Sequence, residues 1–227
     1  MKMKKLDMPD ILKTNKNYFE DYITRSTYNS NAIEGSTLSY ADTYAIVFND
    51  ASFKISANSR EIYEAINHKY ALNFVSENLQ NALDERFIIE IAKIINKNVD
   101  EITSFRNVDV FIRGAEHIPP KKELVLNKML YFIDNYNNAK YDSVFQKAAH
   151  NHIEFEKIHP FTDGNGRTGR LLINYELLKN NTAPAIIPVE DRSQYFEFLK
   201  NSDTDAFAAY LEKLSNEEFK RIERFNV

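Results

Sequence analysis

Between His159 and Arg170 the chain reads HPFTDGNGRTGR, which gathers one imidazole, one carboxylate, three glycines and two guanidinium groups into a single short stretch. The whole chain has five glycines, so three of them here mark a backbone that must bend sharply or be approached closely. Gly164 and Gly166 are able to present successive backbone N–H groups, and a helix starting there adds the positive end of its dipole, which together form an anion cradle. Arg167 and Arg170, three residues apart, are expected on the same side of that helix. Two cations at a helix start oppose the dipole unless an anion is bound, and a polyphosphate fits that role. Asp163 reads either as an ion-pair partner or as the ligand of a hard divalent cation such as Mg2+, which takes one or two carboxylates from protein when it bridges phosphate oxygens. His159 near neutral pH is suited to accept a proton from an attacking hydroxyl.

The flanking sequence fixes where these groups lie. YDSVFQKAAHNHIEFEKI has helical spacing that must break at His159-Pro160, because the residue before proline is pushed out of the helical region. RTGRLLINYELLKN resumes that spacing, so the glycines fall on a loop that opens a helix. There is no GxxxxGK[ST] segment, which disfavours a Walker-type NTPase. His150 and His152 lie two apart on the helix and face different sides, which argues against a metal cluster with His159 and Asp163. His152 reads instead as a buried, hydrogen-bonded residue.

Elsewhere apolar residues recur at helical spacing and Gly and Pro are scarce, predicting an all-α fold. The stripes are Ile62, Ala65, Ile66, Tyr70 and Phe74; Phe87, Ile88, Ile91, Ile94 and Ile95; Leu124, Met129, Phe132 and Ile133; Val144, Ala148, Ile153 and Phe155; and Phe207, Tyr210, Leu211 and Leu214. One interval alternates with period two: Val108, Val110 and Ile112, with a turn at Gly114 and a stop at Pro119 and Pro120. It predicts a small β-hairpin, placed as a flap beside the site. The expected organisation is an N-terminal segment over 1–56 and a core with flanking helices over 57–227.

With 227 residues, a net charge of −4, no cysteine and 43% hydrophobic content, the chain suits one sizeable core. It has no disulfides, no thiolate nucleophile and no broad basic face for nucleic acid. The basic start MKMKKLDMPDILK is interrupted by Asp7, Pro9, Asp10 and Lys13, and no run is long enough to span a bilayer, so a cytoplasmic protein without membrane association is expected.

The segment from His159 to Arg170 resembles the Fic motif HxFx(D/E)GNGRxxR at every fixed position: His159, Phe161, Asp163, Gly164, Asn165, Gly166, Arg167 and Arg170. The preceding AAHNHIEFEKI and the flap VDVFIRGAEHIPP are similar to the same family, so the resemblance covers roughly residues 105 to 200. It implies a Fic-type helical bundle with a small β-hairpin flap and a protein adenylyltransferase, which moves AMP from ATP to a Ser, Thr or Tyr hydroxyl. The resemblance makes His159 the base, Asp163 the Mg2+ ligand, the backbone of Gly164, Asn165 and Gly166 with Arg167 and Arg170 the phosphate site, and Phe161 a core anchor. The partners implied are ATP and an unidentified target protein, or the chain itself.

A second match lies in SNAIEG, Ser30 to Gly35, which resembles the inhibitory (S/T)xxxE(G/N) motif of some Fic proteins. Tyr18, Phe19, Tyr22 and Ile23 predict a helix ending near Gly35, which places Glu34 at its negative dipole end, where a carboxylate needs a cation. The resemblance names Arg170. DRSQYFEFLKNSDTDAF resembles a segment lining the adenine pocket, with Tyr195 and Asn201 as contacts; packing and capping are their other readings. Removal of AMP, with Glu34 orienting a water, is the first alternative. A nucleotide-binding interaction module of toxin–antitoxin type is the second, and the presence of His159 and Asp163 speaks against it. A Doc-like transfer is disfavoured because that branch departs from the GNGR core.

Overall fold

The computed structural model describes residues 7–48, 57–112 and 116–225. Among them the chain forms ten α-helices: α1 (Met8–Thr14), α2 (Lys16–Ile33), α3 (Tyr40–Phe48), α4 (Ser59–Glu77), α5 (Glu85–Ile95), α6 (Lys122–Asn138), α7 (Val144–Ile158), α8 (Asn165–Lys179), α9 (Arg192–Asn201) and α10 (Thr204–Phe225). Asp7, Asn15, Asn58, Asp84 and Ser143 each accept the backbone N–H three residues on, capping α1, α2, α4, α5 and α7. The start of α8 differs. It follows Gly164 in the left-handed conformation and has no side-chain cap.

Helix α8 is the axis of the molecule. All its residues from Arg167 to Leu178 are buried, and α1, α2, α4, α5 and α7 pack around it. Its interior polar groups are paired: Asn174 exchanges hydrogen bonds with the backbone of Ala185, and Glu176 accepts from Tyr136, Lys147 and Asn180. One apolar cluster joins Tyr22, Ile88, Ile91, Phe155, Phe161 and Tyr175 on one side of α8. A second joins Ile33, Ala149, Ile173, Tyr195, Phe207 and Leu211 on the other.

Two expected features differ. On α4 the buried face is Glu61, Ala65, His68, Leu72 and Val75, while Tyr70 is exposed. The apolar pattern misses this face because two of its members are polar. Glu61 accepts from Thr37 and Asn58, and His68 pairs with Thr27. On α6 the buried stripe is Val125, Met129, Phe132 and Tyr136, and Leu124 is exposed.

The expected β-hairpin does not form as paired strands among the described residues, and its turn at Gly114 lies outside them. Residues 107–112 are irregular, and one of their carbonyls, that of Val108, is taken by the Arg106 side chain. Arg106 donates to the carbonyls of Val108, Pro120 and His159, and Asp109 accepts from the N–H of Lys122. The prolines Pro119 and Pro120 remove two donors from the opposite arm. No helix among the described residues is long and apolar enough to cross a membrane.

Candidate active site

His159 ends α7 in the left-handed conformation, at φ 50° and ψ 62°, an uncommon setting for a residue with a side chain. It is held from both sides. Its N–H donates to the carbonyl of Phe155 at 2.9 Å, and its carbonyl accepts from Arg106 Nε at 2.8 Å. Phe161, fully buried between Phe105 and Phe155, anchors the loop beyond it. The side chain of Asn165 then closes the loop on itself, accepting from the N–H of Phe161 and donating to its carbonyl, both at 2.9 Å. The Asn165 amide is therefore a staple of the loop, and its backbone is what faces the helix start. Gly164, at φ 76°, has no room for a side chain, since a Cβ would fall 2.6 Å from Asn96 Nδ2.

The two arginines diverge rather than sharing one side. Arg167 lies 3.0 Å from both Asp163 Oδ1 and Glu64 Oε1, toward α4. Arg170 turns to α2: Nε donates to Ser30 Oγ at 3.0 Å, and Nη2 donates to the Ser30 carbonyl and to Glu34 Oε1, each at 2.8 Å. Glu34 is the C-cap of α2, followed by Gly35 at φ 100°. Its carboxylate lies directly over the α8 start, where a Cβ on Gly166 would come within 2.1 Å of Glu34 Oε1. Each guanidinium that sequence reasoning assigned to an external anion thus already has a protein carboxylate. Glu34 and Tyr195 hold Arg170 firmly in its charged form despite its burial.

His159 is pushed down to about 4, chiefly by burial, so its imidazole is neutral at physiological pH. Its Nδ1 lies 3.8 Å from the carboxylate of Glu156, a buried acid that desolvation and then Glu34 push up to about 8. Gly169 is the third glycine of the stretch, and it lets α8 approach α7. A Cβ there would meet His152 Nδ1 at 2.8 Å and Glu156 Oε1 at 2.9 Å.

Tyr195 does not line an open pocket. It is buried, its hydroxyl lies 2.7 Å from His152 Nε2, and it accepts from Arg170 Nη1 at 3.4 Å. Asn201, on the same helix, is exposed and donates to Glu197. The structure thus separates the two residues read as adenine contacts, and makes Tyr195 a support for Arg170. His152 is buried and hydrogen-bonded, while His150 sits against Tyr141, so the two face different surroundings.

No group of three or more metal-ligating side chains exists among the described residues. Asp163 is the one carboxylate on the loop, and its side chain is 29% exposed. A single part-exposed carboxylate beside an uncapped helix start suits a hard cation that draws its other ligands from phosphate and water, once a present partner such as Arg60 gives way. Sequence reasoning missed Arg60, Glu64, Arg106 and Glu156. The first two carried only an i,i+4 charge pattern that reads as a solvated face.

Comparison with known proteins bears on this geometry. The Fic/DOC family profile matches residues 82–177. That span contains the whole loop. Residues 82–177 are a Fic/DOC-family domain. The chain is 31% identical over 208 residues to protein adenylyltransferase fic-1 of Caenorhabditis briggsae, covering 86% of this chain and 40% of the relative. It is 32% identical over 182 residues to protein adenylyltransferase Fic of Drosophila melanogaster, covering 76% and 36%. The chain therefore spans less than half the length of the curated relatives it matches. Among solved structures, Fic-1 from C. elegans superposes with a TM-score of 0.76 at 27% identity, covering 96% of this chain and 68% of that one. A Fic domain containing signaling protein from Bacteroides thetaiotaomicron shares the fold, with a TM-score of 0.74 at 24% identity over 96% and 87%.

Proposed function

We propose that this chain is a protein adenylyltransferase whose resting form is inhibited by Glu34. A hydroxyl of a target protein attacks the α-phosphate of ATP, His159 accepts the hydroxyl proton, the new O–P bond forms, and the bond to the β-phosphate breaks to release pyrophosphate. His159 is suited to this because burial keeps it neutral, and its backbone is held by the doubly anchored end of α7. The N–H groups around Gly164, Asn165 and Gly166, of which that of Gly164 donates to Asp163 Oδ1 in the resting protein, bind and orient the triphosphate, and Arg167 and Arg170 neutralise its outer charges. Asp163 holds Mg2+, whose contribution when bound is to offset phosphate charge. As in other phosphoryl transfers, most of the catalytic work is positioning and charge stabilisation.

The observation that carries this reading is the pairing of Arg170 with Glu34 directly over Gly166. A carboxylate held against a helix start and a buried guanidinium has the chemistry of a phosphate in the same setting. Removing it frees both for the nucleotide. The irregular stretches 107–112 and 116–121, with Phe111 and Ile118 exposed, belong to the flap, where an extended target segment presents its hydroxyl. The chain works as a cytoplasmic enzyme with ATP and a target protein, or itself, as partners. Intact-mass spectrometry of the purified protein after incubation with ATP and Mg2+ tests the proposal: AMP-bearing protein is expected with Glu34→Gly and little with wild type, and no adduct in either refutes it.

A further inference from the structure

Arg60 is the second residue of α4, where the helix dipole disfavours a cation. Its neighbour Glu61 follows that preference and Arg60 breaks it, a local inconsistency that points to a tertiary purpose. The side chain reaches across to the catalytic loop and donates to Asp163 Oδ2, while its Nε lies 3.0 Å from Glu64 Oε1. Glu64 Oε1 is in turn 3.0 Å from Arg167 Nη1, and Arg167 Nη2 is 3.0 Å from Asp163 Oδ1. Two carboxylates and two guanidinium groups therefore close a ring, Asp163–Arg60–Glu64–Arg167, whose charges cancel.

The members of this ring are unequally held. Arg167 is 3% exposed and Glu64 13%, whereas Arg60 is 55% exposed. Arg60 is the member that solvent is ready to receive. It covers Oδ2 of Asp163, and Arg167 covers Oδ1, so neither carboxylate oxygen is open to a cation without a displacement.

We propose that Arg60 is a resident cation of the loop: it holds Asp163 Oδ2 in the nucleotide-free protein, competes there with a bare divalent cation, and swings into solvent when a cation arrives with a triphosphate. The inference rests on reading Asp163 as the metal-binding residue. Arg60 keeps Asp163 oriented and its charge balanced while the site is empty of substrate. A bare cation meets only one carboxylate and must displace Arg60 from it. A cation carried by a triphosphate brings negative charge, to which the released guanidinium is attracted. Arg60 is then a second restraint on the resting site, separate from Glu34, and makes it selective for the metal–nucleotide complex.

Mn2+ alone, titrated into the nucleotide-free protein and followed by the electron paramagnetic resonance signal of the free ion, tests this without measuring activity. Because an exposed pair is lost, Arg60→Gln is expected to bind Mn2+ about two- to five-fold more tightly than wild type. Arg60→Lys, a point charge unable to span Asp163 and Glu64 together, is expected to fall between them. Asp163→Ala is expected to abolish the binding in either background. Equal or weaker Mn2+ binding by Arg60→Gln, with the Asp163 dependence intact, overturns the role of Arg60 and leaves the metal reading standing. Binding indifferent to Asp163→Ala overturns both. Unfolding midpoints of the variants separate these outcomes from a loss of fold, which the exposure of Arg60 makes unexpected.

Discussion

Replacing Glu34 perturbs the most exposed partner of Arg170, a buried charge of the site. Arg170 makes three hydrogen bonds to α2, two with Ser30 and one with the Glu34 carboxylate at 2.8 Å. Glu34→Gly removes only the last, so α2 stays docked through Ser30 while Arg170 regains a free donor. A charge-assisted hydrogen bond contributes roughly 1.5–3 kcal/mol, and because the Glu34 side chain is 39% exposed the lower part of that range applies. About 1–2 kcal/mol corresponds to a gain of roughly five- to thirty-fold in productive ATP binding. Glu34→Gln separates charge from bulk. Its amide still covers Gly166, where the Glu34 oxygen now lies, but no longer pairs with Arg170 as an anion, so an intermediate gain is expected. Calorimetric titration with Mg2+-ATP, alongside time courses of AMP incorporation, measures both effects. Equal affinities and rates for wild type, Glu34→Gln and Glu34→Gly would refute the reasoning.

Asp163→Ala should remove the extra thermal stabilisation that Mg2+ gives to the ATP-bound protein; an undiminished Mg2+ increment moves the metal elsewhere. Gly169→Ala should destabilise by roughly 1–3 kcal/mol through overpacking against His152 and Glu156, lowering the unfolding midpoint by roughly 3–9 °C. A midpoint unchanged from wild type means that α7 and α8 yield without cost. Proton linkage gives a third test. His68 and His152 are lowered to about 3 and His159 to about 4, all mainly by burial, so the stability gained by keeping them neutral is full above their unfolded value near 6.5 and is lost as pH falls toward 4. Glu156, raised to about 8, has the opposite sign: its contribution is full below about 4.5 and is lost as pH rises toward 8. At pH 5.5 the three imidazoles outweigh the one acid, and unfolding should take up a net of about two protons. Denaturant titrations at pH 5, 5.5 and 6 measure this slope, and stability that does not rise with pH across that window contradicts it.

The reach of the sequence depended on whether a signal was local. The break at His159-Pro160, the helix opening at Asn165 and the C-terminal Gly35 of α2 were legible because proline and glycine constrain their own backbone. The buried face of α4 was not, since Glu61 and His68 are buried by virtue of partners on other elements, Thr37 and Thr27. The same holds for the site. The residue types on the loop were readable, but the Arg60–Asp163 pair joins positions 103 residues apart and leaves no periodic trace. Alternation at Val108, Val110 and Ile112 suggested a hairpin; the pattern could not reveal that the Arg106 side chain would take the carbonyls of Val108 and Pro120. For Tyr195 the sequence left two readings open, a ligand contact suggested by a segment like a known pocket wall and plain packing, because neither leaves a local signal. In the structure it is buried against His152 and Arg170.

The central claim is that His159 takes the proton as AMP moves to a protein hydroxyl, and its most direct test is made where inhibition has been removed. Glu34→Gly and the double variant Glu34→Gly with His159→Ala, each incubated with ATP and Mg2+, are compared by intact-mass spectrometry over time while ATP affinity is measured in parallel. General-base catalysis contributes about a hundred- to ten-thousand-fold, so the double variant should lose AMP incorporation by at least about a hundred-fold while binding ATP within about two-fold of Glu34→Gly. AMP incorporation by the double variant at the rate of Glu34→Gly would contradict the account.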